Sequence, residues 1–224
     1  MTFGAVIFDC DGVLVDSEKL ALEVELEVLA ELGLTFDRDD YVLRFMGLST
    51  EDFHAAMDEE ARNRVGRSVS AEVRGSDRLR AVMIAHLTEV AGAADAVRLL
   101  TLPKAVASSS SAQGLERKLK QTGLWDHFAP HVYSADHVAR AKPAPDLFLH
   151  AAAALGVEPF KCLVIEDSVN GVIGARAAGM TVWGFKGGGH THDGLAVRLA
   201  AAGAERILAD WPDATQQLAH ALEA

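Results

Sequence analysis

Cysteine is scarce in this 224-residue chain: there are two, Cys10 and Cys162, each inside an apolar strand-like run. Two thiols exclude a disulfide-framed secreted scaffold, and their setting points to reduced core cysteines in a cytoplasmic protein. Long apolar runs are missing as well. No stretch approaches the roughly 18 residues of a membrane-crossing helix, and no basic segment followed by an apolar one opens the sequence. Positive charge is in short supply: 21 Lys plus Arg stand against 32 Asp plus Glu, a formal charge of −11. That balance argues against nucleic acid or an anionic membrane as the partner. A small anionic substrate stays open, because a metal or a local cation can reverse the field inside a pocket. What is present in quantity is apolar residues, 50% of the chain, enough for a core with an inserted subdomain. A monomer is expected, with a dimer as the alternative.

Residues 4–8 read as a short buried strand. A helix is expected from Ser17, a possible cap, through Leu32, with Leu20, Val24, Leu26, Val28 and Leu29 on its apolar face and Gly33 as its stop. A second helix starts near Ser49-Thr50-Glu51-Asp52, and a third is expected over Asp77–Val90. No second strong strand occurs before about residue 88. The pattern then alternates. Strands are expected at 104–107, 131–134, 162–165, 181–185 and 207–208, with helices over 112–122, 143–155, 169–178 and 213–222. Strand alternating with helix implies a parallel Rossmann-like α/β sheet covered on both faces, and the early helical block reads as a cap inserted after the first strand. The expected division is a core of residues 1–15 and 88–224 with a helical cap of residues 16–87.

Ligands of such sheets sit beyond the carboxyl ends of the strands. Asp9, Asp11, Ser108, Glu166 and Asp167 all fall at such ends. Taken alone, Asp9 and Asp11 in the run Phe8-Asp9-Cys10-Asp11-Gly12 could cap a turn, bind a metal or supply a nucleophile. Glu166-Asp167 at a second strand end favours the metal, since clustered carboxylates repel unless a cation neutralises them, and oxygen-only donors suit Mg²⁺. Lys142 offers a compensating charge, and Ser108 a hydroxyl ahead of a helix N-terminus. Metal, lysine, hydroxyl and backbone donors around a carboxylate make a phosphoryl-transfer site.

With these residues in place the chain resembles the haloacid dehalogenase-like superfamily, in the branch whose helical cap follows the first strand. The matching motifs are Asp9-Cys10-Asp11-Gly12-Val13-Leu14-Val15-Asp16-Ser17-Glu18, then Val106-Ala107-Ser108-Ser109-Ser110, then Lys142-Pro143, then Glu166-Asp167-Ser168. They occur in order and span nearly the whole chain. The resemblance implies an Mg²⁺-dependent phosphatase for a small phosphorylated metabolite, a sugar phosphate or sugar-acid phosphate. Asp9 would be the nucleophile and Asp11 the acid/base. Asp9, the Asp11 backbone carbonyl and Asp167 would hold Mg²⁺, with Glu166 coordinating or bracing them. Ser108 and Lys142 would bind the phosphoryl oxygens. Ser109 and Ser110 read either as phosphate contacts or as turn residues.

The leaving group is expected to be read by the cap, whose loop appears as Arg44-Phe45-Met46-Gly47-Leu48. Arg44 and Gly47 are the candidate substrate contacts, while Arg62, Arg64 and Arg67 form a positive cluster that also fits a solvated face. A phosphosugar mutase similar to beta-phosphoglucomutase is the alternative activity. Ala21 and Thr50 stand where that enzyme carries a histidine and an arginine, which disfavours it. A catalytically silent binding protein is the other alternative. The segment Gly187-Gly188-Gly189-His190-Thr191-His192-Asp193 lacks the spacing of a dinucleotide fingerprint and reads as a flexible loop at the rim of the site. Its two histidines make a weak metal signal.

Overall fold

Ala5–Phe8 forms β1, and all four of its residues are buried. A strand apolar on both faces belongs in the middle of a covered sheet. A computed structural model describes residues 3–46, 48, 50–191 and 194–223, with residues 50, 222 and 223 described by backbone alone. After β1 come α1 (Ser17–Glu31), α2 (Arg38–Phe45), α3 (Thr50–Val65), α4 (Ser70–Arg74) and α5 (Asp77–His86). The chain continues through α6 (Ala93–Leu99), β2 (Lys104–Ser108), α7 (Ala112–Gln121), α8 (Trp125–Phe128) and β3 (Val132–Ser134). It ends with α9 (Asp146–Leu155), β4 (Cys162–Glu166), α10 (Val169–Ala177), β5 (Thr181–Phe185), α11 (Leu195–Ala202), β6 (Arg206–Leu208) and α12 (Trp211–Glu223). Two compact units result, one running to Asp16 and resuming at Thr88, the other spanning Ser17–Leu87. Among the described residues no helix is long and apolar enough to cross a membrane.

The six strands make one parallel sheet in the order β3-β2-β1-β4-β5-β6, an α/β Rossmann-like arrangement. Successive side chains of a strand point to opposite faces. Ile7, Val164 and Val182 accordingly join one layer with Phe148 of α9, Val172 of α10 and Leu199 of α11. On the other face Phe8 meets Phe128 edge-on at 5.6 Å and Trp211 at 5.9 Å. Trp211 also packs on Phe185 at 5.1 Å, and its indole N–H donates to the Val13 carbonyl at 2.9 Å. The C-terminal helix is thereby bonded to the loop that follows β1. Phe8 pairs with Val106 on one side and Ile165 on the other. Asp9 therefore leaves the sheet next to the ends of β2 and β4, where the strand order reverses.

The inserted unit has its own apolar core, with Leu22, Leu29, Tyr41, Phe45, Phe53 and Met57 at its centre. Glu25 of α1 is buried within it, accepting from the Tyr41 hydroxyl at 2.7 Å and pairing with Arg74 Nε at 2.8 Å. Burial pushes the Glu25 carboxyl above its ordinary value, against the opposing pull of Arg74 and the Tyr41 hydrogen bond. The α1 face differs from the expected one: Leu22, Val24, Glu25 and Leu29 are buried, whereas Leu20, Leu26 and Val28 are half-buried.

One further expectation needs correction, and α2 lies outside the expected set of helices. The helix expected over Asp77–Val90 stops at His86, because the next residues lead back into the first unit. There Asp16 N–H donates to the Thr88 carbonyl at 3.0 Å, Val90 N–H donates to the Leu14 carbonyl at 2.9 Å, and Glu89 pairs with Val15. Helix α2 was not anticipated, although Asp37 caps it by accepting from Asp39 N–H at 2.9 Å and Asp40 N–H at 3.3 Å. Its apolar period is only eight residues long, too short to stand out.

Two outcomes are expected. Trp211→Phe strands the Val13 carbonyl and lowers stability by about 1–3 kcal/mol in urea unfolding. Folded Glu25 binds its proton more readily than unfolded Glu25, so the stability it contributes at low pH fades as pH rises above 4.5 toward the raised value. Melting curves across that interval should show the wild type losing ground to Glu25→Gln as pH rises.

Candidate active site

The chain leaving β1 folds back on itself within a few residues. Gly12 N–H donates to the Val15 carbonyl at 2.8 Å, and Leu14 and Val15 N–H both donate to the Cys10 carbonyl at 2.9 and 3.0 Å. Gly12 has φ +75°. A Cβ there would sit 1.9 Å from Asp167 Oδ2 and 2.6 Å from His190 Cε1, so both the backbone angle and the crowding require glycine. The loop after β5 closes on this turn. A Cβ on Gly188 would lie 2.5 Å from the Gly12 carbonyl oxygen, and Gly189 N–H donates to Asp16 Oδ1 at 2.9 Å. The loop expected at the rim of the site is, for the described residues, hydrogen-bonded onto the β1 turn. His192 and Asp193 lie outside the described residues.

Lys142 occupies the middle of the acidic residues. Its ammonium donates to Asp9 Oδ1 at 2.6 Å and to Glu166 Oε1 at 2.5 Å, with the side chain only 3% exposed. The face of the Phe148 ring lies 4.9 Å away on another side. Burial alone would drive the lysine toward neutrality, but the Asp9 and Glu166 charges outweigh it and hold its pKa above the ordinary value. Glu166, fully buried, uses its second oxygen to accept from Ser168 N–H at 3.0 Å and Ser168 Oγ at 2.9 Å. The same serine caps α10 by accepting from Gly171 N–H at 3.0 Å. Gly171 leaves the room: a Cβ there would fall 1.8 Å from Glu166 Oε1.

Asp9, Glu166 and Asp167 each bring a carboxylate oxygen within 4.8 Å of the others, and all three are buried. Burial pushes the Asp9 carboxyl well above its ordinary range; Lys142 opposes this, and the Glu166, Asp167 and Asp11 charges add to it. A divalent cation would relieve that repulsion, and an all-oxygen donor set fits a hard ion of the Mg²⁺ or Ca²⁺ type. His190 Nε2 stands 3.2 Å from Asp167 Oδ2, within donating reach of this carboxylate.

Asp11 lies apart from that cluster. Ser110 Oγ donates to its Oδ2 at 2.8 Å, Ser108 Oγ approaches the same atom at 3.4 Å, and the Lys118 ammonium contacts Oδ1. Ser108 is buried at the end of β2 and accepts from Ser110 N–H at 3.1 Å. Ser109 is exposed, and within this serine run it is Ser108 and Ser110 that approach Asp11. Cys10 between the two aspartates is a buried free thiol whose pKa is raised by burial and by Asp11, which leaves it unreactive.

Asp9, Asp11, Ser108, Lys142, Glu166 and Asp167 are thus gathered at one end of the sheet. Lys118 and His190 contact two of these carboxylates and were not part of the expected set. In sequence Lys118 belongs to a charged helical stretch, Glu116-Arg117-Lys118, and only its place beside buried Leu115 and Leu119 sets it apart. In the inserted unit Arg44 is held by Glu60 at 2.5 Å and Asp40 at 3.3 Å and stacks on Phe45 at 4.8 Å. It lines a cavity of about 400 Å³ with Phe45, Ala56, Glu59, Glu60 and Asn63. Gly47 lies outside the described residues. Arg62, Arg64 and Arg67 are each engaged locally, by Ser68, Glu60 and Glu72 respectively.

The haloacid dehalogenase-like hydrolase model matches residues 3–179. Hexitol phosphatase B of Escherichia coli is 35% identical over 187 residues, covering 79% of this chain and 80% of that protein. The 6-phosphogluconate phosphatase of Escherichia coli is 28% identical over 181 residues, 81% of each. The crystal structure of a family hydrolase from Deinococcus radiodurans, with bound phosphate and sodium, superposes with a TM-score of 0.85 at 37% identity, covering 98% of this chain and 96% of that one. The chain belongs to the haloacid dehalogenase-like hydrolase family, as one of its phosphatases.

Proposed function

We propose that the protein is an Mg²⁺-dependent phosphatase that hydrolyses a phosphorylated sugar or sugar acid through an aspartyl-phosphate on Asp9. The observation that carries this reading is the contrast between two carboxylates two residues apart. Asp9 is buried on Lys142 among metal-competent oxygens, whereas Asp11 is half-buried beside hydroxyls and a second lysine. One environment suits a nucleophile with its charge tamed, the other a group that exchanges protons with an alcohol and water.

In this mechanism an Asp9 oxygen attacks phosphorus while the P–O bond to the sugar breaks. Asp11 gives its proton to the departing oxygen, leaving phosphate esterified to Asp9. Asp11, now a carboxylate, takes a proton from the water that attacks this phosphorus, and Asp9 is released with inorganic phosphate. Lys142 keeps Asp9 oriented and offers charge to the phosphoryl oxygens, with the Ser108 hydroxyl beside them. The Asp9 and Asp167 carboxylates and the Asp11 carbonyl would hold Mg²⁺, with Glu166 bracing the set. Bound there, the ion supplies positive charge to the equatorial oxygens of the transferring group. The substrate class is supported by relatives named for hexitol phosphates and 6-phosphogluconate, and the phosphate site by the phosphate-bound hydrolase. The protein acts on a small phosphorylated metabolite rather than a macromolecule.

Phosphate release from a panel of sugar and sugar-acid phosphates should require Mg²⁺, stop on chelation, and fall roughly a thousandfold or more in Asp9→Asn. Wild-type rates in that variant would overturn the assignment. His190→Phe should weaken Mn²⁺ or Mg²⁺ binding, read by calorimetric titration, about 10–100-fold, as loss of a group that orients a ligand does. His190→Gln, which keeps a donor near Asp167, should retain most of the affinity.

A further inference from the structure

Lysines near a helix C-terminus ordinarily extend into water, as Lys120 does on α7, pairing with Glu116 at 2.6 Å while 55% exposed. Lys118, two residues earlier, does the opposite. It sits beside Leu115 and Leu119, the buried residues of α7, and its side chain is 16% exposed. Its ammonium contacts Asp11 Oδ1 and lies 3.0 Å from Ser110 Oγ. Ser110 Oγ in turn donates to Asp11 Oδ2 at 2.8 Å. Lys118, Ser110 and the Asp11 carboxylate thus close a ring, and both carboxylate oxygens are held by residues about a hundred positions along the chain. Partial burial of an ammonium and a carboxylate is a poor source of stability, because desolvation cancels most of the attraction. What the pair does supply is direction.

The chemistry of the two sides differs. An ammonium only donates, so Oδ1 faces a group that cannot accept a proton from it. Oδ2 faces hydroxyls, which donate or accept by rotating. We propose that Lys118 is a positioning residue for Asp11: it anchors Oδ1 and confines the travelling proton to Oδ2. The leaving oxygen of the sugar receives its proton from Oδ2 as the P–O bond breaks, and the same atom later takes a proton from the attacking water. Lys118 itself gains and loses nothing in the cycle. This inference rests on the reading of Asp11 as the acid/base given above.

The test exploits leaving groups. p-Nitrophenolate departs as an anion without help, whereas a sugar alkoxide needs the proton. Single-turnover phosphorylation of the enzyme is measured with p-nitrophenyl phosphate and with fructose 1-phosphate, by stopped flow and rapid quench, in wild type, Lys118→Met, Lys118→Arg and Asp11→Asn. The expected result is that Lys118→Met slows the sugar ester about 10–100-fold and the aryl ester less than about threefold, with the melting temperature unchanged, and that Lys118→Arg recovers most of the loss. If Lys118→Met is poorly folded, Lys118→Gln carries the same comparison. Equal slowing of both esters, or of neither, while Asp11→Asn still discriminates between them, overturns the role of Lys118 alone. Failure of Asp11→Asn to discriminate overturns the acid/base reading, and the inference with it.

Discussion

The Lys142 ammonium, held between Asp9 and Glu166, is the interaction on which the site depends. Each of these groups is costly to bury alone, and each becomes tolerable through the others. The triad is possible only because β1 and β4 are adjacent and in register, Phe8 beside Ile165, so that Asp9 and Glu166 leave the sheet together. Ser168 occupies the remaining oxygen of Glu166, and the absent side chain of Gly171 gives the carboxylate room. Replacing any of these would leave a buried charge without its partner rather than subtract one bond.

A division of labour follows from this centre. The buried side holds Asp9 and the metal-competent oxygens, whereas the outer side holds Asp11 with Ser108, Ser110 and Lys118. Each aspartate has a lysine of its own, Lys118 from within α7 for Asp11 and Lys142 from the segment between β3 and α9 for Asp9. A third anchor comes from the loop after β5, whose Gly188 lies against the Gly12 carbonyl and whose His190 reaches Asp167. Rigid strands thus set the positions, and the short loops at their ends supply the chemistry, as expected of parallel α/β sheets.

The inserted unit is organised independently. It has its own apolar core and its own buried charged group, Glu25 with Tyr41 and Arg74. Within the first unit the chain on either side of the insertion is joined, Asp16 N–H to the Thr88 carbonyl and Val15 paired with Glu89. An insertion with its own core can vary in surface without disturbing the strands that carry the reactive residues.

Much of this was legible in the amino-acid order. Short apolar runs ending in carboxylates announced β1 and β4, and the alternation of strand and helix announced a parallel sheet. Asp9, Asp11, Ser108, Lys142, Glu166 and Asp167 could be named because local patterns put each at a strand end or helix start. Less legible were the short capped helix α2 and the end of α5, where tertiary return of the chain overrides a helical pattern. Lys118 and His190 were hidden for a different reason. Each acts through a contact with a residue distant in sequence, Asp11 or Asp167; no local pattern marks Lys118, and the pattern that marks His190, its closeness in sequence to His192, does not point to Asp167. The sequence by itself determined the class of fold and the chemical kind of the site, because periodicity and strand-end carboxylates are local properties. Only the tertiary structure decided which cation meets which carboxylate oxygen, because that depends on strand register and on the close approach that Gly12 and Gly171 permit.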